Sequence, residues 1–510
     1  MQFPAQLLSL PGELCYQIYR DYLCDDTEDG YVYDFEAGQL RKANNQPIEL
    51  DLMYTCKLIA QEMRGLALSL HSIAFSTLYS RQLHTRAARW AYFVSRFRSH
   101  VGWYKVTQIV PAEEVQEVAG PQSFIHAIFC HYKNSSLPNF DRVAKAVTEP
   151  ACRTHVGTPT EHENFEYHTR RWDVRGGLAA YLDVIKEPWR IPTDDELDRI
   201  GARLPIRKRE ASAALRDMWR DHPGRFRFSA ATAAIYFLNS LPTTTRKHIR
   251  RIHLDEDRVS VAHPECPIRG LLPFYLENSG LMIERRASLW NNLFQARAWG
   301  EARGQFLDPF SGFTVGLLNW GATDHDALPA NHVTRQVALW MAEASHPGIS
   351  DAFNLVLDGG PTQDRSADVF REAVQRDAAW QVAKERRFND PKRTLWMRME
   401  TAENCWHVVR FPQLLADINK PTSRTRCNFD PGQPWNDDQI NQIISANKIA
   451  EDALSPSRYD MNMQLLPVGP LDAWGLGRDL DFDKASPLKS FDCLLEENVD
   501  PGHLAWEPPW

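Results

Sequence analysis

The chain has 510 residues, and its 43% hydrophobic and 24% charged content excludes a disordered or fibrous protein over most of its length. A formal charge of −8 argues against a dedicated nucleic-acid binder or a polybasic membrane binder. No apolar run approaches the roughly 20 residues that cross a bilayer, and at about 150 residues per domain the length suits two or three domains.

The first element is a helix. Leu10, Leu14 and Ile18 recur at four-residue steps, with Tyr22 following, which is one apolar stripe of an amphipathic helix. Ser9 stands ready as a hydroxyl cap ahead of Pro11, which sits in the first turn, where its missing N–H costs least. The acidic run after Leu23 ends the helix. Tyr31, Tyr33 and Phe35 then alternate, and Asn44-Asn45 supplies a turn before Ile48, Leu50 and Leu52, so a β-hairpin is expected between two helices. The second helix is expected over about Asp51 to Ser69, with Leu52, Cys56, Ile59, Met63 and Leu66 on one face. A strand from His71 to Leu78 and a helix from Leu83 to Arg98 follow.

Residues 151–175 are polar and rich in His, Glu and Thr, as in a long surface loop. Helical patterns resume at Thr193 to Ile200 and at Ile206 to Arg220. The dense apolar run Ser229 to Leu241 reads as a buried helix ended by Pro242. Strands are expected at Ile249 to Leu254, Leu281 to Arg285, Phe353 to Leu357 and His407 to Phe411. Helices are expected at Val333 to Ala344, Ala367 to Lys384 and Asp437 to Leu454. From Ser455 onward, Pro, Gly, Asp and isolated Trp mix without periodicity, as in a docked extended segment or a mobile tail. No repeat of fixed period supports a solenoid or propeller. The expected fold class is therefore mixed α/β (α+β) and helix-dominated, in three parts: 1–80, a helix pair with an inserted hairpin; 81–420, a central α/β interaction region; and 421–510, a helix and tail.

Two stretches carry a family resemblance. Leu10-Pro11-x-Glu13-Leu14-x-x-x-Ile18, joined to Leu52-Met-Tyr-Thr-Cys56-Lys-Leu-Ile59-Ala-Gln-Glu62, resembles the opening of F-box-like proteins of filamentous fungi. The run from Phe228 through Ile252-His-Leu-Asp-Glu-Asp-Arg258 to Ile283-Glu-Arg-Arg286 is similar to their central region. The resemblance implies that the helix pair docks a Skp-type adaptor of a cullin–RING ubiquitin ligase while the remainder recruits a substrate protein. The implied contact positions are Leu10, Pro11, Leu14 and Ile18 from the first helix, with Cys56 and Ile59 from the second. Such an interface is a helix in a groove, where a few apolar anchors supply most of the energy. Two other readings stand beside it: a scaffold that uses the same helix pair structurally, and an enzyme whose site assembles from dispersed residues.

Linear chemistry motifs do not appear. There is no GxxxxGK[ST], no GxGxxG after a strand and no GxSxG. His126 and Cys130 share a helical face with no further ligands nearby, and the cluster His155, Glu161, His162, Glu163, Glu166 and His168 lacks HExxH spacing. Asp358-Gly359-Gly360 is a turn with the makings of a weak phosphate nest. Basic pairs at Arg207-Lys-Arg209, Arg246-Lys247, Arg250-Arg251, Arg285-Arg286 and Arg386-Arg387 have acidic neighbours, so solvated faces and ion pairs are expected rather than a nucleic-acid groove. Nine scattered cysteines without CxxC read as free thiols in a reducing compartment, and the opening lacks a basic n-region and a cleavage site. A cytoplasmic or nuclear protein is expected, with no cofactor, no metal, no membrane partner and no residue assigned a catalytic role.

Overall fold

The computed structural model describes residues 7, 10–24, 30–101, 187, 189–203, 226–261, 265–294, 327–346, 349, 351–388, 408, 410–446 and 465–467. Nine strands occur in them: β1 (Tyr31–Asp34), β2 (Gln39–Lys42), β3 (Ser72–Ser76), β4 (Arg251–Glu256), β5 (Met282–Ser288), β6 (Ala327–Pro329), β7 (Phe353–Asp358), β8 (Thr425–Cys427) and β9 (Leu465–Pro467). Seven of these form one sheet in the order β2-β1-β3-β4-β5-β7-β8, and β6 pairs with β9 in a separate antiparallel ribbon. Only the β1–β2 hairpin is antiparallel within the large sheet; every other neighbour is parallel. More of the described residues are helical than extended, so the protein is a mixed α/β fold in which helix predominates.

The six parallel strands cross the sheet in the order in which they occur in the chain. With crossovers of one hand and no reversal of direction, each connection returns over the same face. The side chains agree. In register across the sheet run the inward rows Tyr31–Ile73–Ile252–Ile283–Phe353 and Phe75–Leu254–Arg285–Leu355–Thr425, all buried. Apart from Tyr31, which lies against His71, their apolar members pack in one core with α6 (Ala230–Ser240), whose N-cap Ser229 accepts the Thr232 N–H, and with α8 (Ala330–Ala344). The alternate residues face outward. Parallel sheets are usually covered on both faces and read as continuous apolar runs, whereas these strands alternate as one-sided strands do.

The inward face carries a buried charge pair. Arg285, 2% exposed, donates from Nε (3.0 Å) and Nη2 (2.6 Å) to Oε1 of the fully buried Glu256. Its Nη1 donates to the Glu265 carbonyl (3.0 Å), and its guanidinium lies 4.1 Å from the Trp340 ring centroid. Glu256 in turn accepts the backbone N–H groups of Ala230 (3.1 Å) and Ala231 (3.3 Å), so one carboxylate pairs with the arginine and caps the amino end of α6. A second buried pair, Arg269 Nε to Glu343 Oε2 at 2.7 Å, ties the turn Cys266–Leu271 to α8.

The other longer helices are α1 (Gly12–Leu23), α2 (Lys57–Glu62), α3 (Leu66–Leu70), α4 (Arg81–Val101), α5 (Asp194–Arg203), α7 (Leu272–Glu277), α9 (Gln363–Val369), α10 (Gln375–Phe388), α11 (Phe411–Asp417) and α12 (Asp437–Ala446); a single helical turn, Thr243–Arg246, follows α6, a π-turn, Leu289–Leu293, follows β5, and another, Phe370–Val374, joins α9 to α10. Several expectations need correction. The helix expected over Asp51 to Ser69 is three pieces: a 3-10 turn Asp51–Tyr54, then α2, then α3. Cys56 is extended and caps α2, its Sγ accepting the Ile59 N–H at 3.5 Å, and Gly65 breaks the chain again at φ +75°. At 407–411 the expected strand is absent over its described residues: Arg410 is left-handed at φ +65°, and Phe411 opens α11. The sheet also runs through the expected divisions at 80/81 and 420/421, because β1 and β3 pair onto β4's sheet and β8 pairs with β7. The loop expected at 151–175, the helix at 206–220 and the tail beyond Ser455, apart from β9, lie outside the described residues.

Breaking the central pair should be costly, since a lone buried charge remains. Arg285→Met is expected to lower stability by about 3–5 kcal/mol. Glu256→Leu/Arg285→Met should recover only part of this, because the Ala230 and Ala231 amides lose their acceptor. Urea unfolding midpoints of the variants check both statements.

Candidate functional site

Two exposed surfaces concentrate side chains that the core does not use. The first is the outer side of α1. Pro11, at φ −54°, caps this helix without a side-chain bond, its carbonyl accepting the N–H groups of Leu14 (3.0 Å) and Cys15 (3.1 Å). The buried face is Cys15, Tyr19 and Leu23, one position on from the expected stripe, packed against Ile59, Met63 and Leu66 of the helix pair. Polar locks hold this rotation: the Tyr19 hydroxyl donates to Glu62 Oε2 at 2.6 Å, the Leu52 N–H donates to the Tyr22 hydroxyl at 3.3 Å, and His71 Nε2 meets the Leu23 carbonyl at 2.9 Å. Burial and the Glu62 carboxylate push the Tyr19 phenol well above its usual range, so it remains a donor.

This rotation separates the six positions that the resemblance singled out. Leu14 is 46% exposed and Ile18 38% exposed, with Pro11 exposed ahead of them. Leu10 and Cys56 are partly buried and packed on the small core, and Ile59 is inside it. Leu58 of α2 and Tyr54 are exposed as well, adding apolar area on the helix pair. Leu14 and Ile18 thus lie together on the solvent side of a helix whose other side is anchored.

The second surface is the outward face of the sheet. Across it, in register, run Val32–Ala74–His253–Glu284–Asn354 and Ser76–Asp255–Arg286–Val356–Arg426, with Ser288 beside Asp358 in the next row. All of these are half-exposed or exposed. Glu284 Oε1 lies 3.8 Å from His253 Nδ1 and 3.9 Å from Arg286 Nη2, and Arg286 Nη1 lies 3.8 Å from Asp358 Oδ2. These are loose pairs at the end of long or half-solvated side chains. Partial burial raises the Asp255 carboxyl above its usual range; Arg286 pulls it back, and Asp257 pushes it up further.

Sequence reading missed this face. Its signal was present in the period-two alternation of 251–256, 282–288 and 353–358, where one phase is mostly apolar, apart from Glu256 and Arg285, and the other mostly polar. The basic pairs also divide. Arg286 is on the outward face, while Arg285 is no solvated residue but the buried partner of Glu256. The Asp358-Gly-Gly turn is not a free phosphate nest: Gly359 N–H donates to Asn428 Oδ1 (2.8 Å) and Gly360 N–H to Asp358 Oδ1 (2.9 Å). Among the described residues no group of His, Cys, Asp and Glu is arranged to hold a metal ion, and no helix is long and apolar enough to cross a membrane. The candidates at 126–131 and 155–168 lie outside the described residues.

The fold defines a sheet of sequentially ordered parallel strands with one packed face and one polar face. No protein-family model matches the chain, and comparison with curated proteins and with solved structures returns no match.

The raised Asp255 carboxyl gives a pH prediction with a definite sign. In the folded chain it holds its proton to higher pH than in the unfolded chain, so folding is favoured below the unfolded value of about 3.9 and this contribution is lost as pH rises through the folded value. Asp255→Asn is therefore expected to raise the melting temperature at pH 7, with the gain vanishing near pH 3; thermal melts at the two pH values test it.

Proposed function

We propose that the protein is a non-enzymatic interaction protein, and specifically a substrate-recruiting adaptor of a Skp–cullin–F-box ubiquitin ligase. The outer stripe of α1, Pro11, Leu14 and Ile18, docks the Skp-type adaptor, with Leu10 at its margin. Cys56 and Ile59 act behind it, one capping α2 and the other filling the core that fixes α1. The central sheet then presents its polar face to a substrate protein. The observation that carries the reading is the exposure of Leu14 and Ile18 on a helix rigidly held by Tyr19, Tyr22 and Leu23. A helix pair with only a structural role buries its apolar stripe, whereas a docking helix keeps anchors in reach of a groove.

The competing reading is a scaffold of the same architecture that never meets the ligase. Co-elution of the full chain with a fungal Skp adaptor separates the two. Leu14→Asp/Ile18→Asp should abolish co-elution and leave the unfolding midpoint nearly unchanged, since surface substitutions cost within about 0.5 kcal/mol. No co-elution of the wild-type chain would put the scaffold reading in front.

A further inference from the structure

The amino-terminal rim of the sheet carries charge that the fold does not use. Lys247, Arg250 and Arg251 are exposed where the chain enters β4. Arg64 is exposed one residue before Gly65, whose backbone abuts the His248 ring so closely that a Cβ there would lie 2.2 Å from it. The helix pair and the sheet therefore meet at this rim and bring cations from both. Arg246, in the same turn, is neutralised by Glu277 at 2.9 Å, and Arg250 spends one N–H on Asn278 Oδ1 at 3.0 Å. Arg64, Lys247, Arg250 and Arg251 form no ion pair among the described residues.

Apolar side chains stand beside them. Met282 is 54% exposed and lies directly opposite Arg251 in the β4–β5 register. Leu276, near the end of α7 and shortly before β5, is 81% exposed. Unpaired cations next to exposed aliphatic groups complement a segment that mixes carboxylates with an apolar side chain.

We propose that this rim docks an acidic segment of a protein partner, with the partner's carboxylates on Lys247, Arg250, Arg251 and Arg64 and an apolar residue on Met282. The proposal rests on the reading of the central region as a protein receptor. A nucleic acid fits less well. Its phosphate backbone running on over the outward face meets Glu284, Asp255 and Asp358, and the exposed apolar side chains beside the cations, Met282 and Leu276, are aliphatic rather than the aromatic platforms on which bases stack, the His248 ring being packed against Gly65.

The test is fluorescence anisotropy of the full-length chain with a labelled synthetic peptide rich in Glu and carrying one Leu. Binding should weaken with added salt and fall by at least about tenfold in Lys247→Glu/Arg251→Glu, whose folding is checked by its unfolding midpoint. Arg64→Glu, off the sheet, should also weaken it and serves if the double variant unfolds. Leu14→Asp/Ile18→Asp should bind the peptide as the wild type does, so loss of Skp docking and failure of the rim are read separately. The proposal is overturned if charge reversal leaves affinity unchanged, if a Lys-for-Glu peptide binds equally well, or if single-stranded DNA of the same charge binds more tightly than the peptide.

Discussion

A carboxylate and a guanidinium inside the core set the geometry of the protein. Glu256 ends β4, Arg285 lies at the middle of β5, and neither is solvated. Charges so placed are tolerated only where their hydrogen-bonding capacity is met, and here the demands come from several elements at once. The carboxylate must face the first amides of α6, and the guanidinium must reach the Glu265 carbonyl while lying on Trp340 of α8. Two strands, two helices and a loop are thereby fixed in one arrangement. Apolar contacts already exclude a slip of one residue, which would turn every side chain to the other face, but discriminate less against a slip of two, which keeps the inward face inward. The ion pair is directional and excludes both.

The same geometry decides which side chains reach solvent. Once Arg285 and Glu256 are inside, the period of two sends His253, Asp255, Glu284 and Arg286 out. The polar face is thus the complement of the core, strand by strand. On α1 the equivalent decision is made by hydroxyl and imidazole groups: Tyr19 on Glu62 and His71 on the Leu23 carbonyl turn Leu14 and Ile18 away from the helix pair. In both places polar contacts choose the face, and apolar burial supplies the driving force.

Much of the architecture was legible from periodicity. The helix Ala230–Ser240 with its Pro242 stop and the strands near 251–256, 282–288 and 353–358 follow from local pattern. A hairpin after Tyr31 does too, but not in the expected place: the chain turns at Phe35–Gly38 rather than at Asn44-Asn45, its second strand is Gln39–Lys42, and Ile48 and Leu50 are in no strand. Connectivity was not legible. Spatially the strands follow in regular succession, yet β3 ends at Ser76 and its neighbour β4 begins only at Arg251, a long crossover, while a short one joins Glu256 to Met282. A repeat in space with no constant period in the chain leaves no sequence signal. The rotation of α1 was hidden for another reason: two apolar stripes, Leu10–Leu14–Ile18 and Cys15–Tyr19–Leu23, adjoin on one helix, and only tertiary hydrogen bonds choose between them. Arg285 and Arg286 look alike in sequence because the partner that distinguishes them, Glu256, is remote. The short strand β8 was missed because three residues carry too little pattern.

The outer edge of β8 is closed by a side chain acting as a strand would. Asn419, left-handed at φ +64°, donates its N–H to the Thr425 carbonyl (3.2 Å) and accepts the Cys427 N–H on Oδ1 (2.7 Å). The far edge ends instead in β2, a short strand bearing Arg41 and Lys42. Between these two stops every strand pairs only with its immediate neighbours, and each of the central crossovers is tied to the sheet through the core helix it carries, α6 between β3 and β4, α7 between β4 and β5, and α8 between β5 and β7. Such a sheet is modular in evolutionary terms: a crossover can lengthen, shorten or acquire a new element without disturbing rungs further along. Variation among descendants of this fold should therefore accumulate in the lengths of the crossovers, while the rungs and the two closing edges keep their spacing.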